Sequence, residues 1–181
     1  MKKILTLLII MFGLFNTLSA NYTQLAYDFQ FNGIDGKKIK LSNFENKVIV
    51  VVNVASRCGF TNQYDDLQKL WIAYQDKGLI VLGIPTNDFK QEPGTNNDIK
   101  EFCKTNFNIN FPMSEKTKVI GDDSHPFYKW AKENYGKNAI PKWNFHKIII
   151  GKDGKIVETF ASITKPSSKR FINFIEKEIK N

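Results

Sequence analysis

The chain has 181 residues and a formal net charge of +8 at pH 7, with 26 lysines and arginines against 18 aspartates and glutamates. Arg57 and Arg170 are the only arginines, whereas planar recognition of phosphates and bases prefers that side chain. The lysines are also scattered along the sequence, so a solvated basic surface is expected and nucleic-acid binding is not.

Met1 to Ala20 has the pattern of an export leader. Lys2 and Lys3 precede an apolar stretch from Ile4 to Phe15, and Leu18-Ser19-Ala20 offers a small residue at the cleavage point. The stretch is short for a membrane span. A cleaved signal peptide over 1–20 and a single domain over 21–181 follow, with periplasmic or secreted location and no stable membrane association after cleavage. The bulky Leu18 leaves an uncleaved anchor as the alternative.

Further on, Tyr27 to Phe31 alternates in period two, Asn32 to Gly36 supplies turn residues, and Lys38 to Leu41 resumes, predicting a hairpin. Val48 to Val52 is an unbroken β-branched run, the mark of a strand covered on both faces. Leu67, Leu70, Trp71 and Tyr74 then fall at helical spacing, predicting a helix over about 65–77 with Gly78 as its C-cap. Leu79 to Ile84 is a second buried strand, so strand, helix and strand form a right-handed parallel unit. A polar loop from Thr86 to Asn97 leads to a short helix over about 98–105. Another helix is expected over 124–135. Ile148 to Ile150 and Ile156 to Phe160 form a hairpin around Lys152-Asp153-Gly154. Phe171, Phe174, Ile175 and Ile179 mark a closing helix capped by Ser167 or Ser168. One α/β domain results.

Cys58 lies just past the central strand, between Arg57 and Gly59, where the next helix is about to begin. Unpaired N–H groups and a helix N-terminus favour an anion there, and the thiolate is the nucleophilic form of cysteine. A small buried apolar cysteine is the alternative. Cys103 is the second thiol, and in an exported chain an even count also fits a structural disulfide, a staple of roughly 4 kcal/mol. His125 and His146 stand alone, without the spacing of a metal site or a convincing base. No metal or cofactor is expected.

Asn53-Val54-Ala55-Ser56-Arg57-Cys58-Gly59-Phe60-Thr61, then Gln91-Glu92-Pro93, then Trp143-Asn144-Phe145, resemble the three signatures of the glutathione peroxidase family, in that family's order. The resemblance spans about 27–174. It implies a thioredoxin-like fold, a central mixed sheet flanked by helices, and a thiol peroxidase acting on hydrogen peroxide and organic hydroperoxides. It also implies a catalytic group of Cys58 with Gln91, Trp143 and Asn144. Such neighbours have a physical purpose. A free thiol is only a few per cent ionised at pH 7, and mostly ionising it takes roughly 3.4 kcal/mol. A helix N-terminus supplies about 0.3–1 kcal/mol, whereas each hydrogen bond to a charged group adds about 1.5–3 kcal/mol. Amides and an indole N–H donate without titrating.

The resemblance further places Cys103 on the helix that carries a resolving cysteine in the family's two-cysteine members. Its thiol would condense with a sulfenic acid at Cys58 to give a disulfide. Thr86 stands where many members have another cysteine, Asp88 where glutamine is usual, and Arg57 where lysine is usual. The segment between Tyr135 and Ile140 is short, lacking an insertion associated with tetrameric, glutathione-using members. A monomer reduced by a thioredoxin-like protein, or by glutathione, is therefore expected. The competing reading is an exported disulfide carrier or redox sensor of thioredoxin fold without peroxidase turnover; the chain has no C-x-x-C to support it.

Overall fold

In the computed structural model, which describes residues 22–181, the β-branched run becomes the axis of the molecule. The leader over 1–20 lies outside the described residues. The run forms β3 (Val48–Val54), buried at every position. An N-terminal hairpin, β1 (Gln30–Asn32) and β2 (Lys38–Lys40), precedes it. After it come α1 (Gln63–Tyr74), β4 (Leu79–Pro85), α2 (Asn96–Phe107), α3 (Pro126–Tyr135), β5 (Lys147–Ile150), β6 (Ile156–Phe160) and α4 (Lys169–Lys180). The main sheet has the order β4-β3-β5-β6. The β3–β4 pair is parallel and the β3–β5 and β5–β6 pairs are antiparallel, so the sheet is mixed.

Alternation along β3 divides the core in two. Val48, Val50, Val52 and Val54 face α1, α2 and α4, through Leu67, Leu70, Ile99, Cys103, Phe171 and Ile175. Ile49 and Val51 face α3 and the hairpin, through Phe127, Trp130, Phe31 and Leu41. The expected elements are all present, with edges shifted by a few residues. Tyr27 and Asp28 belong to a short 3-10 turn instead of the hairpin strand. Gly78 ends the α1 segment at φ 96, a conformation open to glycine, and Ser168 is the cap of α4. Among the described residues, no helix is long and apolar enough to cross a membrane.

One core position is unexpected from the sequence pattern. Lys147 opens β5 and is fully buried, its ammonium donating to Gln63 Oε1 at 2.5 Å and to Thr164 O at 2.6 Å. The Gln63 amide in turn donates to Ser162 O at 2.7 Å. A polar group in the core thus ties the first turn of α1 to the sheet and to the loop before α4. Burial pulls the Lys147 amine down to about 7 from its ordinary 10.5. The folded state therefore sheds this proton before the unfolded chain does, and linkage makes stability rise with pH between about 7 and 10.5. Urea unfolding of wild type and Lys147→Met across that interval should show the wild type gaining stability relative to the variant. A difference that stays level or falls would contradict a buried, paired Lys147.

Candidate active site

β3 delivers Asn53 to Cys58 to the carboxyl end of the sheet, where ligands collect in open α/β folds. Cys58 sits in a run of turns, not in the helix: its carbonyl accepts from Thr61 N at 3.0 Å, and α1 begins only at Gln63. The helix dipole fades within its first turn, so the local backbone takes over that role. Phe60 N–H donates to Cys58 Sγ at 3.4 Å. Thr61 holds the turn by accepting from Cys58 N at 3.0 Å and donating to Ala55 O at 3.1 Å. Cys58 is 8 % exposed.

The loop after β4 is fastened to this turn by a buried carboxylate. Glu92 is fully buried and accepts Ser56 N–H at 2.7 Å and Ser56 O–H at 2.5 Å. Burial raises the Glu92 carboxyl above its ordinary range, while the two Ser56 donors pull it back. Beside this pair, Arg57 N donates to Gln91 O at 3.0 Å and Thr86 N to Val54 O at 3.1 Å. Asn87 Oδ1 accepts from Glu92 N at 3.0 Å. Lys90 adopts φ 58 just before Gln91, a left-handed conformation that a lysine adopts at a cost.

The third segment arrives through a strained turn. Phe145 has φ 65, a genuine outlier for a bulky residue and of order 1–3 kcal/mol. The kink lets Phe145 N donate to Asn53 O at 2.6 Å while Asn53 Nδ2 donates to Trp143 O at 3.1 Å. Asn144 is fully buried and its amide donates to Gln91 Oε1 at 3.0 Å. Its other amide atom, Oδ1, is buried without a partner. Trp143 points outward, 41 % exposed, against Phe89 with ring centroids 5.5 Å apart. The structure thus joins Gln91 to Asn144, hangs both on the Asn53–Cys58 segment, and sets Trp143 at the rim.

Cys103 is a free thiol, as is Cys58, and both belong to the same apolar cluster. Tyr64 packs between the rings of Phe107 at 5.2 Å and Phe145 at 5.3 Å, with its buried hydroxyl short of a hydrogen-bond partner and close to the Cys103 thiol. Burial pushes Cys103 up to about 11, the Tyr64 hydroxyl opposing it and the Glu92 carboxylate adding to it. His125 caps α3 through Phe127 N at 3.2 Å and stacks on Phe31 at 4.2 Å. His146 is held down at about 4 by burial, then by Lys147 and Lys142. Neither histidine joins the site. Among the described residues, no group of three or more histidines, cysteines or carboxylates is placed to hold a metal. Asp88 Oδ2 accepts from Val119 N at 2.6 Å and Ile120 N at 3.1 Å.

Glu92, Asn53 and Thr61 are the positioning residues that sequence reasoning passed over. Each lies inside or beside a motif, but a carboxylate next to proline in a polar loop gives no sign of being buried.

A free thiol just past the central strand of a mixed sheet with helices on both faces defines a thioredoxin-fold thiol enzyme. The family model for glutathione peroxidase matches residues 26–132, more than half of the chain. A glutathione peroxidase of Lactococcus lactis subsp. cremoris is 42% identical over 158 residues, covering 85% of this chain and 96% of that one. A hydroperoxy fatty acid reductase of Synechocystis is 43% identical over 159 residues, covering 83% and 93%. The crystal structure of Trgpx in apo form superposes with a TM-score of 0.70 at 35% identity, covering 88% and 98%. The chain belongs to the glutathione peroxidase family and is a thiol peroxidase that reduces hydroperoxides.

The geometry assigns Glu92 the task of holding the Cys58 turn. Glu92→Ala should leave the two donors of half-buried Ser56 without their acceptor, costing about 1–3 kcal/mol in urea unfolding. The Ser56 amide should lose hydrogen-exchange protection beyond the global change. A protected Ser56 amide in that variant would contradict the assignment.

Proposed function

We propose that Cys58 is the peroxidatic residue and that Cys103 resolves it. The Cys58 thiolate attacks one peroxide oxygen; the O–O bond breaks, the sulfur takes up that oxygen as sulfenic acid, and water or an alcohol leaves after accepting a proton. Cys103 then forms the S–S bond, expelling the sulfenic oxygen as water. A thioredoxin-like dithiol, or glutathione, returns both thiols.

The observation that carries this reading is the Cys58 sulfur accepting Phe60 N–H, with the coupled Gln91–Asn144 amides tied to the neighbouring Arg57 through Gln91 O. A half-turn of both amides keeps their mutual hydrogen bond and presents an Asn144 N–H at the buried position now without a partner. That donor serves the thiolate and the departing oxygen. Trp143 and Phe89 give the rim an apolar surface suited to an organic hydroperoxide. A monomer, exported by the leader over 1–20, completes the reading; native protein that begins at Met1 in the cytosol would contradict the export.

We infer that resolution runs through an opened α2. Of its twelve residues only Ile99 and Cys103 are buried, so little packing opposes local opening. A thiol held near 11 is a poor nucleophile at neutral pH, and an opened helix returns it to an ordinary thiol range of about 8.5. Disulfide formation in the oxidised protein should therefore rise with pH and level off near that ordinary value. A rate still climbing towards 11 would mean attack from the folded helix. Mass spectrometry of Cys103→Ser after one equivalent of peroxide should show sulfenic acid at Cys58, with thioredoxin-driven turnover lost. Full turnover by Cys103→Ser would overturn the resolving role.

A further inference from the structure

Behind α2, away from the Cys58 turn, lies a cleft of about 430 Å³ between that helix, the β1–β2 hairpin and the segment over 109–113. Its floor is apolar: Ile39, Phe44, Phe111 and Met113 line it, and the buried Cys103 forms part of one wall. Ile34 N donates to Met113 O at 2.9 Å, which fixes the hairpin loop over the floor. Four lysines stand around it, Lys37 and Lys38 from the hairpin and Lys100 and Lys104 one helical turn apart on α2. Lysines scattered in sequence are thus gathered here by the fold.

Among the described residues, none of the four ammonium groups has an ion-pair partner. Lys38 Nζ donates to Asn32 Oδ1. Asp35 is the one carboxylate lining the cleft, and it accepts from Lys37 N at 3.1 Å. The volume lies within the range of about 300–1,000 Å³ common for small-molecule sites, and an apolar floor with a few convergent polar groups is their usual composition. The ligand must satisfy both features. An apolar chain covers the floor and a single anionic head meets the lysines; a bare phosphate uses only the rim, and an alkyl cation is repelled by it.

We propose that this cleft binds a monocarboxylate carrying an apolar chain, of the fatty-acid class, and that the bound ligand holds α2 helical. Because α2 supplies Lys100, Cys103 and Lys104, a ligand spanning helix and hairpin binds the closed helix and not the opened one. It slows the resolving step by mass action and leaves peroxide attack at Cys58 alone. This regulatory part rests on Cys103 being the resolving thiol; the binding part does not.

The test is an equilibrium titration of the reduced full chain with decanoate, decan-1-ol, decyltrimethylammonium and inorganic phosphate. Decanoate should bind saturably at one site, with the other three much weaker. Lys100→Glu combined with Lys104→Glu should weaken decanoate by about tenfold or more. No saturable binding, equal binding of the alkyl cation, or indifference to the charge reversal would overturn the site. So would a dimer in light scattering that decanoate fails to dissociate, since a second copy would then fill the cleft. In single turnover at about ten times the dissociation constant, sulfenic acid formation should be unchanged and disulfide formation about tenfold slower. Binding with an unaltered disulfide rate would overturn the regulation. Absence of any Cys58–Cys103 disulfide without decanoate would instead overturn the resolving role, and the isotherm would still decide the site.

Discussion

A single buried carboxylate holds the site together. Glu92 takes two donors from Ser56, two residues before Cys58, and so fixes the turn after β3 against the loop after β4. Neither segment has regular structure here, and a loop must otherwise satisfy its backbone groups from water. With this clasp in place, Gln91 falls beside Arg57, and Asn144 can reach the Gln91 amide. Desolvation works against ionising Glu92, and the two Ser56 donors oppose that effect. The arrangement is stiff because removing either partner strands polar groups in the interior.

The opposite holds around Cys103. The cap of α2 is well made, with Thr95 and Asp98 bonding reciprocally, yet the helix buries little beyond Ile99 and Cys103. Phe102 and Phe107 add partly buried contacts, so the helix combines its own hydrogen bonds with a narrow buried face, and such an element opens at less cost than a fully buried one. A firmly held Cys58 and a Cys103 on a helix with its own hydrogen bonds suit the division of labour proposed for them. In that proposal the first is poised before the peroxide arrives and the second stays protonated until afterwards.

The fold was legible because its signals are periodic. Val48 to Val52 could be a covered strand and little else, and Phe171, Phe174 and Ile175 had one plausible helical face. The three motifs likewise pointed to Cys58, Gln91, Trp143 and Asn144 as neighbours, and Gln91 and Asn144 do meet. Three features stayed hidden, because they arise from residues distant in sequence or from unusual backbone. Nothing local says that Glu92 is buried, that Lys147 lies in the core, or that Phe145 adopts φ 65. The helix-dipole argument for Cys58 failed for a similar reason: two extra turns separate it from Gln63, and only tertiary contacts decide where a helix starts.

The most direct test of the account is the oxidation of the fully reduced protein by one equivalent of a hydroperoxide, followed by stopped flow beside Cys58→Ser. The wild type should lose thiol in a fast phase whose rate is proportional to peroxide concentration. The variant, with Cys103 intact, should show no such phase. A fast phase preserved in Cys58→Ser would contradict the account at its centre.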